Sequence, residues 1–134
     1  MRELTSHKVN GLNEALKIEV VDEPGSGNAC HLYRISGFST ATNGSDPFVV
    51  RHGSPADYST VLFQNGPVQE VGFNGISQEA LLAIVEDRLK CFQDGPYACR
   101  ENAVALTKIQ EAMMWLMKRT RDRMARGVEG THAV

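Results

Sequence analysis

The link "DGPYAC", residues 94–99, decides the fold of this 134-residue chain. Asp94-Gly95-Pro96 stops one helix, because proline cannot continue it and glycine favours the turn that ends it. Before the stop, "ISQEALLAIVEDRLKCFQ" (76–93) has Ser77 as N-cap and Glu79 in the first turn. Its main stripe is Leu81, Val85, Arg88 or Leu89, and Phe92. After the link, "CRENAVALTKIQEAMMWLMKRTRDRMARG" (99–127) is a second, longer helix ended by Gly127. Leu106, Ile109, Met113 and Leu116 repeat along it at heptad-like spacing. So short a link predicts an antiparallel helical hairpin.

The two helices differ in length. At ~1.5 Å per residue, residues 77–93 run about 25 Å and residues 99–126 about 40 Å. The second therefore overshoots the first by some three turns. Met117 and Met124 lie on that overhang, so a second chain is expected to cover it. Trp115 is expected in the core or at an interface.

Upstream the texture changes to short runs rich in Gly, Ser, Asn and Pro. "ALKIEVVD" (15–22) sets Leu16, Ile18 and Val20 against Lys17, Glu19 and Val21, the alternation of a half-buried strand. "CHLYRIS" (30–36) and "PFVV" (47–50) read as further strands, separated by turns at 23–28 and 40–47. "STVLFQNGPVQEV" (59–71) predicts a hairpin with Asn65-Gly66 at its tip and a return strand opened by Pro67 at a sheet edge. The expected class is α+β. A small antiparallel sheet region (1–72) precedes the two-helix hairpin (73–134).

Bulk properties exclude several classes. No apolar run is long enough to span a bilayer, and "MRELTSHKVNGLNEA" lacks the apolar core of a signal peptide. Cys30, Cys91 and Cys99 form an odd, sparse set that reads as reduced thiols of a cytoplasmic protein. Motifs for serine hydrolases, zinc proteases, nucleotide-binding glycine loops and zinc sites are absent. The histidines (His7, His31, His52, His132) have no ligand spacing. The expectation is a binding protein, not an enzyme, with no metal or cofactor.

Charge points to the ligand. Net charge is −2, yet residues 118–126 carry five basic side chains against Asp122 alone. Such a confined patch suits a compact polyanion better than a duplex, which meets a broad basic face. Cations at a helix C-terminus are also favoured by the macrodipole, by ~0.3–1 kcal/mol each. That explanation serves Lys118, Arg121 and Arg126. For Arg119 and Arg123, spaced i and i+4, a second reading stands beside it: two guanidinium forks aimed at paired phosphates.

At the hairpin, "NGISQEALLAIVEDRL", "FQDGPYACRENAVAL" and "MWLMKRTRDRMARGVEGTH" resemble the phage Thoeris anti-defence protein 1 family, whose hairpin is shared with anti-CBASS protein 2. The resemblance covers about residues 63–132. It is most specific at F-Q-x-G…A-C-x-E-N and R-T-x-x-R…R-G-V-E-G-T. It implies a phage sponge, acting in the cytoplasm of the infected bacterium, that sequesters glycocyclic ADP-ribose uncleaved and so blocks Thoeris immunity. It further implies cyclic di- or trinucleotides at a separate site, and dimers that associate into a hexamer. The family's ligand contacts fall on Phe92 (base stacking), Asn102 (polar contact), and Arg119 with Arg123 (phosphate). By position alone, Phe92 also fits a core residue and Asn102 a first-turn surface residue.

Those four positions cannot meet one small ligand within one hairpin. Phe92 and Asn102 sit at the bend, and Arg119 is about 30 Å away along the second helix. If all four touch one nucleotide, two chains pack antiparallel and the site lies between them, twice per two-fold dimer. A competitive sponge needs nanomolar affinity, about −12 kcal/mol. One stacked base at ~1–3 kcal/mol and charged hydrogen bonds at ~1.5–3 each barely reach it. Further enclosure is expected from loops 40–47 or 52–58 and from the tail 127–132. The alternatives are a sponge primarily for cyclic oligonucleotides and a small phage regulator that binds nucleic acid.

Overall fold

The computed structural model describes residues 1–45, 50–51 and 57–134. They form two compact units, Met1–Gly66 and Pro67–Val134. The class is α+β: an antiparallel sheet followed by a helical hairpin.

In the first unit, among the described residues, five strands lie in the order β1-β2-β3-β5-β4. They are β1 (Arg2–Leu4), β2 (Lys17–Val20), β3 (Leu32–Phe38), β4 (Val50–Arg51) and β5 (Asp57–Leu62). All pairings are antiparallel. The register places Leu4, Ile18 and Ile35 across from one another, with Val20, Tyr33 and Val61 beside them on the same face. Glu3, Glu19, Arg34 and Thr60 take the other face. The alternation read in residues 15–22 is thus the pleat of β2. Val20 is fully buried, and Tyr33 meets Phe63 edge-on at 5.7 Å between centroids. On the polar face the Glu19 and Arg34 side chains pair at 3.4 Å. Of the strand expected at 47–50, Val50 alone is described, in β4; residues 47–49 lie outside the described residues. So do His52 and most of the 52–58 loop.

A short helix, α1 (Gly11–Ala15), was not legible in the periodicity. Asn10 caps it, its side chain accepting from Asn13 N at 2.9 Å. β3 carries an irregularity between Ile35 and Phe38, and Gly37 there has φ +93°. A Cβ at Gly37 would stand 1.9 Å from the Ala15 carbonyl oxygen. Gly37→Ala therefore combines a left-handed backbone with a clash against α1. It is expected to destabilise this unit by about 3 kcal/mol or more, read as a lowered urea midpoint.

The turn at 23–28 is held from below. The Asp22 carboxylate accepts the backbone N–H of His31 at 3.0 Å and of Leu32 at 3.1 Å. Burial alone would raise the Asp22 pKa. These hydrogen bonds, with the nearby His31, outweigh it and hold the pKa below the ordinary aspartate value.

The expected return strand after Asn65-Gly66 is corrected. Gly66 does take positive φ (+97°), but the next residues form a helical turn, α2 (Val68–Val71). Pro67 has no N–H to give a ladder, while its carbonyl accepts from Glu70 N at 2.9 Å and Val71 N at 3.0 Å. β5 is paired along its length by β3, and by β4 only at Asp57 and Tyr58.

The second unit continues with α3 (Gln78–Gln93) and α4 (Arg100–Ala125). Ser77 caps α3, accepting from Ala80 N at 3.2 Å, and the Cys99 thiol caps α4, accepting from Asn102 N at 3.4 Å. Gln93 Oε1 accepts from Cys99 N at 3.1 Å and so clamps the link. α4 ends where Gly127 turns to φ +71°. It is ten residues longer than α3, so nearly three turns project beyond the pair.

This hairpin buries remarkably little apolar surface for its length. No residue of α3 is buried, and the one buried residue of α4 is an arginine, Arg123. Ile84 (65% exposed), Met114 (69%) and Trp115 (72%) face outward. Of the two places expected for Trp115, the core of its own chain is therefore excluded.

Candidate ligand site on the hairpin

At the bend, the last turn of α3 and the first turn of α4 gather a small aromatic cluster. Phe92 is half-buried. The Arg88 guanidinium stands 5.0 Å from its ring centroid, from one turn earlier on the same helix. Tyr97, 72% exposed, meets Phe92 edge-on at 6.2 Å. Asn102 is tied to the same link, its Nδ2 donating to the Tyr97 carbonyl at 3.5 Å. Phe92 and Asn102 thus share one place, joined through residue 97. An aromatic face beside an amide is the equipment that stacks and reads a base. Tyr97 has no signal in the sequence, and Arg88 is read there only as a stripe position; its i, i+4 spacing from Phe92 is the signal that places it at the ring.

The basic end is built differently. Lys118 is paired with Asp122 at 2.7 Å. Arg119 is exposed and makes no hydrogen bond or ion pair among the described residues. Arg123, one turn on, is 6% exposed and faces its own tail. Its Nε donates to the Glu129 carboxylate at 3.0 Å, and its Nη2 donates to the carbonyls of Val128 at 3.0 Å and Thr131 at 3.2 Å. Its Nη1 donates to the carbonyl of Ala133. The two guanidinium forks expected side by side are therefore unlike: one is open to an anion, and the other is enclosed.

Along α4, Asn102 and Arg119 are about 25 Å apart. A single hairpin brings together Phe92 with Asn102, and Arg119 with Arg123, but not the two pairs. Among the described residues no cluster of His, Cys, Asp and Glu could hold a metal ion, and no helix is long and apolar enough to cross a membrane. A cleft of about 590 Å³ in the first unit, lined by Arg2, Asp22, Cys30 and Tyr33 among others, contains none of these four residues.

A small antiparallel sheet followed by a capped helical hairpin, aromatic at its bend and basic at its far end, defines the class. Residues 56–121 match the family model described as Acb2/Tad1, hairpin domain, and through this segment the chain belongs to that family. Over 74 residues it is 58% identical to Thoeris anti-defense 1 of Bacillus phage SBSphiJ7, across 55% of this chain and 52% of that protein. The chain thus spans about half the length of the curated relative it matches. Arg123 and the tail lie beyond the residues matched by the family model.

Proposed function

We propose that this chain is a phage anti-defence sponge that binds glycocyclic ADP-ribose and holds it without cleaving it, denying the signal to Thoeris immunity. The observation that carries this reading is the separation of base-stacking and phosphate-binding equipment to opposite ends of an apolar-faced hairpin. Phe92 stacks the base and Asn102 contacts it from the bend of one protomer. Arg119, with Arg123 one turn on, supplies positive charge for the phosphates from the overhang of its mate. The family match and the name of its relative in the Bacillus phage support the anti-defence role.

The same geometry requires a second copy. Two hairpins laid antiparallel bring each bend beside the other's basic end and cover Trp115 and Met114. The dimer then holds two equivalent sites, and such dimers can associate further into a hexamer. No nucleophile with an adjacent base stands in either cluster, which favours capture over cleavage.

Titration calorimetry with glycocyclic ADP-ribose, a cyclic dinucleotide and a short DNA duplex tests this reading. The expected result is nanomolar binding of the first, at one ligand per protomer, and recovery of intact ligand after heat denaturation. Tighter binding of the cyclic dinucleotide would make the protein primarily a cyclic-oligonucleotide sponge. Binding of the duplex with a steep salt dependence would make it a nucleic-acid regulator.

A further inference from the structure

We propose that Gln93 is a positioning residue: by accepting the Cys99 N–H it relieves Asn102 of capping α4 and leaves the Asn102 Oδ1 open to the ligand. This deepens the proposed function and rests on it, because the ligand contact of Asn102 belongs to that reading.

A helix begins with N–H groups that have no partner within it. A common solution for the first turn is reciprocal. The N-cap side chain accepts the N–H of the third helical residue, and the side chain of that residue reaches back to the N–H of the N-cap. In α4 the N-cap is Cys99 and the third residue is Asn102. The first half of the exchange is present, since the Cys99 thiol accepts from Asn102 N at 3.4 Å. Asn102 does not make the second half. Gln93 Oε1, on the last residue of α3, accepts from Cys99 N at 3.1 Å in its place.

The link keeps Gln93 within reach of that N–H. Asp94 N donates to the Lys90 carbonyl at 3.0 Å, Gly95 N to the Phe92 carbonyl at 3.2 Å, and Ala98 N to the Gly95 carbonyl at 3.3 Å. Successive turns thus fold the start of α4 back onto the end of α3.

The Asn102 carboxamide is thereby free to turn elsewhere. Its Nδ2 donates to the Tyr97 carbonyl at 3.5 Å. A carbonyl can only accept, so Nδ2 is the end turned to the link. At that length the bond is too weak to set the side chain alone, and the two backbone bonds of Cys99 and Asn102 fix its base. Asn102 Oδ1 makes no hydrogen bond among the described residues. An open acceptor at the bend that carries Phe92 suits an N–H or O–H of a nucleoside stacked there. An asparagine that completed the cap would have committed this oxygen to its own backbone.

Calorimetry with glycocyclic ADP-ribose, read beside amide hydrogen exchange of the full chain, tests the role of Gln93. Gln93→Ala keeps a good helix former at the end of α3, so circular dichroism should be unchanged. It is expected to weaken binding about tenfold, the scale of one misplaced hydrogen bond. In the Asn102→Ala background the same substitution is expected to change affinity less than about twofold, because Gln93 acts through Asn102. A residue that merely stabilised the hairpin would weaken binding equally in both backgrounds. Exchange reads the cap directly. At the Cys99 N–H it should stay slow in Gln93→Ala, where Asn102 takes over, and speed at least about tenfold when both side chains are removed. The proposal is overturned if Gln93→Ala binds normally, if it weakens binding equally with and without Asn102, or if the Cys99 N–H already exchanges fast in Gln93→Ala alone. Absence of any nucleotide binding would instead overturn the proposed function, and exchange at Cys99 would still decide whether Gln93 keeps Asn102 off the cap.

Discussion

Protomers carrying Phe92→Ala, mixed with protomers carrying Arg119→Ala, are expected to regain full-affinity ligand binding that neither variant shows alone. In each pure variant both sites of the dimer are damaged in the same way. In a mixed dimer one site takes Phe92 from the Arg119 variant and Arg119 from the Phe92 variant, and so is complete. The other site lacks both. Random mixing makes about half the dimers mixed, so about a quarter of all sites should bind with normal affinity. Loss of the stacked base costs ~1–3 kcal/mol, and loss of a forked guanidinium–phosphate contact costs more. Both pure variants should therefore bind at least about fivefold weaker, which leaves the restored quarter distinct in a titration after unfolding and refolding together. Neither substitution threatens the fold: Arg119 is exposed and has no partner among the described residues, and Phe92 is only half-buried. A mixture that binds no better than its parents would mean that each site is built within one chain.

Trp115→Glu is expected to yield a monomer that no longer captures the nucleotide. Burying a tryptophan against a partner removes roughly 200 Å² from water, worth about 5 kcal/mol at ~25 cal/mol per Å². A glutamate in its place forfeits that gain and adds the cost of desolvating a charge. Dimer dissociation should rise at least a thousandfold, visible by sedimentation velocity. Far-ultraviolet circular dichroism should keep its helical signal, because Trp115 is 72% exposed in its own chain. Binding should fall with the dimer although Phe92, Asn102, Arg119 and Arg123 are all retained. Tight binding by the monomer would refute the shared site.

Much of the hairpin was legible in residues 76–127 because its signals are local. Ser77, the Asp94-Gly95-Pro96 stop and Gly127 act within a turn of where they stand, and the structure puts the helix limits beside them. The two strands β2 and β3 were legible for the same reason. α1 was not, because five residues are too few for a period to show. The return strand expected after Pro67 failed because a proline suits the start of a helical turn as well as a sheet edge, and Pro67 takes the first role here.

The amino-acid sequence by itself determined the class of fold, the antiparallel hairpin with its overhang, and the concentration of positive charge at one end. Periodicity, caps and charge count need no knowledge of distant residues. Only the tertiary structure decided that Arg119 and Arg123, identical in type and one turn apart, differ in circumstance. A tail returning from Gly127 and gripped by Gln69 places carbonyls and a carboxylate around one guanidinium and leaves the other bare. Enclosure of a side chain depends on where the chain comes back, and no spacing along one helix records that.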